Sequence, residues 1–203
     1  MAQAGLRALT GFVSRFVLAS ASPRRRDLLR SVGLLPEVMP SDIDERWHSG
    51  EAPVAYALRV AVAKAEACVA PWAALAADTV VAQGDTVFLK TADSEEVRRT
   101  LLQLSGKSHT VYTAVAVREG EPGTPVRTLY VATDVRFRRL CRADVERYLA
   151  TKEPFDKAGS YGIQGAGGSL VASVQGSYTN VVGLPLEETL DLLKKCGLWR
   201  EEA

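Results

Sequence analysis

The chain has 203 residues, 47% of them hydrophobic, enough to bury a sizeable core as one domain or as one domain with two lobes. A formal net charge of +1 gives no reason to expect a nucleic-acid or membrane partner, and no apolar run is long enough for a membrane span. Three scattered cysteines, Cys68, Cys141 and Cys196, form no C-x-x-C pair and point to reduced thiols in a cytoplasm, away from a disulfide frame or a zinc site.

Residues 1–15 read as a loosely ordered N-terminal extension rather than a targeting segment, and residues 16–203 as the domain proper. Phe16, Val17 and Leu18 read as a short buried strand, followed by a turn of small residues, Ala19 to Ser22. Ser22 suits a helix N-cap, Pro23 the first helical position and Gly33 the stop. Arg24, Arg25 and Arg26 then occupy the first helical turn, where cations oppose the dipole. An anion above the turn, typically a phosphate, would resolve that conflict. A solvated basic patch is an equal alternative on this stretch alone.

Glu37 to Met39 reads as a short strand and Ser41 to Glu45 as an acidic loop, locally more simply solvated than turned towards a metal. Pro53 opens a helix running to about Val69, with Tyr56, Val60, Ala63 and Ala67 as its apolar stripe. Lys64 on that helix reads locally as a solvated lysine. Leu75 to Ala82 is a strand buried on both faces, yet Asp78 sits inside it. A buried carboxylate is costly without a cation beside it, so Asp78 is a candidate base or metal ligand, the alternative being a structural cap on a backbone turn.

Gly84-Asp85 reads as a hairpin turn into a strand from Thr86 to Leu89, with Lys90 at its end. Asp93 and Glu96 have capping-box spacing at the start of a helix that runs to Leu104 and stops at Gly106. Residues 108–118 and 126–137 alternate as long strands. Arg136, Arg138 and Arg139 alternate with apolar neighbours and read as a solvated sheet face, not a nucleic-acid patch. A helix from about Arg142 to Thr151 precedes the glycine-rich stretch Glu153 to Gly165. There the backbone can approach a ligand closely, and Asp156, Lys157 and Gln164 supply polar groups. A strand from Ser169 to Val174, a turn at Gln175 to Tyr178, a short apolar segment and a helix from Pro185 to Cys196 complete one continuous α/β chain.

Five of these pieces carry a resemblance to the Maf family of nucleoside triphosphate pyrophosphatases. They are Ser20-Ala21-Ser22-Pro23-Arg24-Arg25, Ala77-Asp78-Thr79-Val80, Leu104-Ser105-Gly106, Asp156 to Gly165, and Val182-Gly183-Leu184-Pro185. They occur in family order over nearly the whole chain after residue 15. The resemblance implies a two-lobed α/β fold, similar to that of the ITPases, with a central mixed β-sheet flanked by helices and a cleft between the lobes. It also implies a homodimer. Its activity would be cleavage of a nucleoside triphosphate between the α- and β-phosphates, a house-cleaning reaction using a divalent cation (Mg²⁺, Mn²⁺ or Co²⁺).

Carried over by position, Asp78 becomes the catalytic base, and Ser20, Arg24, Arg25, Lys64, Thr79, Lys90 and Gln164 line the substrate site. Asp44 stands where the family commonly has a glutamate and joins Asp78 as a metal ligand. Arg24, Thr79 and Gln164 match the members that prefer dTTP and UTP, whereas members preferring 7-methyl-GTP tend to carry Trp, Gln and Glu there. Leu89-Lys90-Thr91 departs from the usual Glu-Lys-Pro, which puts metal affinity or the placement of Lys90 in question. The alternative from another class is a non-catalytic nucleotide sensor acting in cell-division control through the same pocket.

Overall fold

The computed structural model describes residues 11–201. In chain order the elements are β1 (Gly11–Val13), β2 (Phe16–Leu18), α1 (Pro23–Ser31), β3 (Glu37–Val38), α2 (Pro53–Ala67), β4 (Ala73–Gln83), β5 (Thr86–Phe88) and α3 (Ser94–Leu104). They continue with β6 (Ser108–Arg118), β7 (Val126–Phe137), α4 (Arg142–Leu149), β8 (Val171–Gln175), α5 (Tyr178–Val182), α6 (Leu186–Lys195) and β9 (Trp199–Glu201). One sheet runs β3-β2-β4-β6-β7-β8, with β5 paired to β4 off that path. It is mixed: β2 lies parallel to β3 and β4, and the other pairs are antiparallel.

Of the expected N-terminal extension, residues 1–10 lie outside the described residues. Gly11–Val13, expected to be loosely ordered, instead forms β1 and pairs antiparallel with β9.

Strand β4 organises the core through its period of two. Ala73, Leu75 and Ala77 pack with Leu29 and Val32 of the α1 segment and Leu193 of α6. Ala74, Ala76 and Val80 face the other way, onto Tyr56, Val60 and Ala61 of α2. Further along, Val81 joins a third cluster with Val97 and Leu101 of α3 and Tyr148 of α4. One end of the sheet is thus covered on both faces and the other by a separate helical group. The change-over falls at Asp78 and Thr79.

Local chemistry explains most element ends. Gly33 stops α1 at φ +85°, which lets Leu34 N–H reach back to the Leu29 carbonyl at 3.0 Å. Gly84 takes φ +58° in a two-residue hairpin that registers Gln83 opposite Thr86. Two expectations need correction. The buried face of α2 is Tyr56, Ala57, Val60, Ala61, Lys64 and Ala65, while Ala67 is exposed. An alanine-rich helix is nearly equally apolar all round, so its pattern alone does not choose the face. At the start of α3, Asp93 accepts from Glu95 N–H at 2.8 Å, but Glu96 does not close a capping box. Its carboxylate accepts from the Thr91 hydroxyl at 2.6 Å, and that hydroxyl accepts from Asp93 N–H at 3.1 Å. Thr91 therefore holds this turn by hydrogen bonds rather than by a proline ring.

Arg118 of β6 is fully buried. Its guanidinium donates to the carbonyls of Ala65, Cys68, Ala70 (2.7 Å) and Trp72 (3.2 Å), tying the C-terminal end of α2 to the start of β4. The orphan carbonyls of Ala65 and Cys68 at the helix end and those of the connection to β4 thus share one cation.

Candidate active site

Adjacent residues of a strand point to opposite faces, and at Asp78 and Thr79 that simple fact builds the cleft. Asp78 points to α2. There the Lys64 ammonium donates to Asp78 Oδ1 at 3.0 Å and lies 2.9 Å from Glu45 Oε2. The Lys64 and Asp78 side chains are each only 8% exposed. The reading of Lys64 as a solvated lysine is therefore wrong. An unpaired carboxylate inside β4 would be expensive, and the helix face that carries Lys64 turns inward to meet it. One ammonium thereby bridges two carboxylates from separate segments.

Thr79 points to α1. Arg25 turns into the protein and donates from Nε to Gly183 O at 2.9 Å, from Nη1 to Ser20 Oγ at 3.0 Å and from Nη2 to Thr79 Oγ1 at 3.2 Å. Burial pushes its pKa below the ordinary arginine value, with the Asp78 charge opposing. A desolvated guanidinium at a helix N-terminus is a strong anion seat. Ser22 occupies the N-cap position but makes no side-chain cap bond. Its N–H instead donates to Ser20 Oγ at 3.3 Å. Arg24 is half-buried and lines the cleft, whereas Arg26 pairs with Asp27 on the surface at 3.3 Å. The solvated-patch reading fits Arg26; Arg24 and Arg25 belong to the cleft.

The glycine-rich stretch forms the opposite wall. Gly159 has φ +67° and lies so close to β4 that a Cβ there would stand 2.8 Å from Val81 Cγ1. Tyr161 anchors the stretch from below, its hydroxyl 2.8 Å from His109 Nε2. Glu153 clasps it from behind: its carboxylate accepts from Tyr148 OH at 2.9 Å, Ala166 N–H at 2.8 Å and Gly167 N–H at 3.2 Å. Lys157, a candidate ligand group by sequence, is folded back, its ammonium on Glu153 O at 2.6 Å and Asp156 Oδ1 at 2.5 Å. Gln164 is exposed and lines the cleft together with Arg24, Thr79, Lys90 and Asp156. Ser20, Lys64 and Glu45 line the adjoining hollow, which shares Arg24, Arg25 and Lys90. Glu153→Ala is expected to free the Ala166 and Gly167 amides, raising their hydrogen-exchange rates in mass spectrometry, and to cost about 1–3 kcal/mol in stability. Unchanged protection of both amides would show that the clasp does not hold the loop.

Asp44 does not join the cluster. Its exposed carboxylate is taken by Arg46, through the backbone N–H at 3.0 Å and Nη2 at 2.6 Å, which holds its pKa well below the usual carboxylate range. The neighbouring Glu45 is the loop carboxylate that reaches Lys64. Tyr56 OH donates to the Glu45 carbonyl at 2.7 Å, and Arg59 holds Glu51 through paired bonds of 2.7 and 2.8 Å, so this loop is docked on α2. Burial, and then the charges of Asp78 and Glu45, push the Tyr56 phenol up to about 12. A signal for Glu45 was present in the sequence. Ile43 and Trp47 are apolar at even spacing from it, so an extended segment would turn all three the same way.

Among the described residues no group of three or more His, Cys, Asp or Glu side chains could hold a metal. Glu45 and Asp78 nonetheless already share one cation, the Lys64 ammonium. Two carboxylates suit Mg²⁺, which is commonly held by one or two of them with substrate phosphates and water completing its shell. Sequence reasoning did not single out Glu153 or Tyr148, which hold the glycine-rich stretch through Gly162, Ala166 and Gly167 and carry no pattern that marks them.

The family model described as Maf-like protein matches residues 15–196. The chain is 51% identical to a dTTP/UTP pyrophosphatase of Anaeromyxobacter dehalogenans over 90% of this chain and 94% of that protein. It is 50% identical to a protein of the same name from Myxococcus xanthus, over 91% and 95%. Among solved structures it is similar to a HAM1 protein from Coxiella burnetii, with a TM-score of 0.51 at 19% identity, covering 90% of this chain and 99% of that one.

Proposed function

The chain belongs to the family of Maf-like proteins, and from that premise we propose that it is a nucleoside triphosphate pyrophosphatase that hydrolyses dTTP and UTP to the monophosphate and pyrophosphate. One observation carries the reading. Asp78 and Thr79, adjacent on β4, bring a carboxylate pair and a buried arginine to the same cleft from opposite faces of the sheet.

A nucleoside triphosphate carries roughly four negative charges, so catalysis is mainly positioning and charge neutralisation. Arg25 uses three N–H groups on the protein, which leaves two of a guanidinium's five donors for phosphate oxygens. Lys90 and the N-terminus of α1 add positive potential around them. Asp78 takes a proton from a water that attacks the α-phosphorus. The new bond joins that water oxygen to phosphorus, the bond to the bridging α–β oxygen breaks, and pyrophosphate leaves with the electron pair. Glu45 and Asp78 would hold a divalent cation (Mg²⁺, Mn²⁺ or Co²⁺), which when bound neutralises phosphate charge. A cytoplasmic setting is supported by the free thiols of Cys68, Cys141 and Cys196, and a homodimer by the family resemblance alone.

The deciding experiment is pyrophosphate release from a panel of nucleoside triphosphates with Mg²⁺ or Mn²⁺. Hydrolysis of dTTP and UTP well ahead of 7-methyl-GTP is expected. Binding without pyrophosphate release would make the protein a nucleotide sensor instead. Arg25→Ala is expected to raise KM for every triphosphate by a similar factor of about ten or more, because a phosphate contact does not identify the base. A change confined to the ranking of bases would move Arg25 from the phosphates to the base pocket.

A further inference from the structure

The hydroxyl of Thr79 sits in a chain of hydrogen bonds whose direction follows from the bond between Thr113 and the main chain of Asn180. Thr113 Oγ1 lies 3.0 Å from the carbonyl oxygen of Asn180, which has no hydrogen, so the Thr113 hydroxyl must donate there. Thr113 Oγ1 is also 3.0 Å from Thr79 Oγ1. Its only hydrogen being committed, Thr113 accepts in this second bond and Thr79 donates. Arg25 Nη2 then donates to Thr79 Oγ1 at 3.2 Å, as a guanidinium always must. Thr79 has therefore spent its hydrogen and one lone pair within the protein. What remains on its oxygen is one acceptor site.

The far end of the relay is rigid. Thr113 and Asn180 are both fully buried. The Asn180 side-chain amide donates to Val111 O and Thr133 Oγ1, each at 2.9 Å, and the Asn180 main-chain carbonyl also accepts from Gly183 N–H at 3.0 Å. Reversing the chain would break the Thr113–Asn180 bond and free the Thr79 hydrogen, leaving one hydrogen bond fewer within the protein. The polarity is built in by residues that no ligand touches.

We infer that Thr113 is a positioning residue for base selection: it holds Thr79 as an acceptor facing the cleft, so that the site reads an N–H donor on the nucleobase. The inference rests on the proposed nucleotide reading of the cleft. A phosphate oxygen has no hydrogen to offer, so the free lone pair cannot serve the triphosphate. Arg24 and the Gln164 amide lie along the same cleft and can each donate. Donor, acceptor and donor together complement a base edge that runs carbonyl, N–H, carbonyl, as in uracil and thymine. Cytosine presents an unprotonated ring nitrogen at the centre of that edge, lone pair against lone pair.

The wild-type protein supplies the first test. N3-methyl-UTP lacks the central N–H and is expected to lose at least about tenfold in kcat/KM against UTP, while 5-methyl-UTP, which carries the same added methyl away from that edge, stays within a few fold. The second test uses Thr113→Val, nearly isosteric with threonine. It leaves Thr79 free to turn its hydrogen into the cleft, so the UTP-to-CTP ratio of kcat/KM is expected to fall about tenfold. Thr113→Ser keeps the relay and is expected to restore the ratio. Inhibition by inorganic tripolyphosphate, which has no base, should be the same in all three proteins. A purely structural role for Thr113 would change the melting temperature and turnover without moving the ratio. Equal hydrolysis of UTP and N3-methyl-UTP, or an unchanged ratio in folded Thr113→Val, overturns the inference. A wild type that releases pyrophosphate from none of these nucleotides instead removes the functional reading beneath it.

Discussion

Asp78→Asn is expected to lower kcat for UTP and dTTP by about a hundredfold or more while leaving the fold intact. The amide is nearly isosteric with the carboxylate but cannot accept a proton from water at neutral pH, and a positioned general base is typically worth about 10²–10⁴-fold. Lys64 retains Glu45 at 2.9 Å, so its buried ammonium is not left unpaired. Removing one negative charge from the cleft should leave nucleotide binding unchanged or slightly tighter. The measurements are pyrophosphate release and calorimetric titration with a non-hydrolysable nucleotide. Loss of turnover with retained binding assigns Asp78 to the chemical step. Wild-type turnover in the variant would exclude it as the base.

Arg118→Ala is the substitution expected to cost most in stability. The residue is fully buried, and its loss strands the carbonyls of Cys68 and Ala70, which its guanidinium otherwise satisfies deep in the protein. Each buried acceptor left unpaired costs about 1–3 kcal/mol, so the two together give about 2–6 kcal/mol before any cavity is counted. In a chain of this size that lowers Tm by on the order of 10 °C. Arg118→Met fills much of the volume without restoring the hydrogen bonds and should recover little. Thermal unfolding of both variants decides the matter: a methionine variant near wild-type stability would mean that packing, not the carbonyl clamp, is what Arg118 supplies.

Much of the site was legible as local chemistry. Pro23 after a turn of small residues marked the start of α1, and three arginines in its first turn marked a place where an anion would help. Asp78 stood out because a carboxylate in an apolar strand demands a partner. The hairpin at Gly84, the cap at Asp93 and the two long strands β6 and β7 followed from turn and alternation patterns. The loop at Ser41 to Glu45 was legible only in part. Its acidity was plain, but the pull of Arg46 on Asp44, two residues away, and the reach of Glu45 to Lys64 show only in the folded chain.

By itself the amino-acid sequence determined the order of the elements, the α/β class, the Maf-family motifs and the placing of Asp78 and Thr79 next to each other on a strand. These are short-range properties, set by residues within a few positions of one another. Only the tertiary structure decided which face of α2 carries the buried lysine, which acid of the loop reaches it, and which of three arginines turns inward. It alone revealed the Glu153 clasp, the Arg118 clamp and the direction of the Thr79–Thr113 relay. The physical reason is the range of the contacts. Arg25 meets Gly183 across 158 positions, Asn180 meets Val111 across 69, and Arg118 meets Ala70 across 48. No periodicity or spacing rule connects residues so far apart. Their pairing follows from which strands lie side by side, and that is settled when the whole chain buries its core.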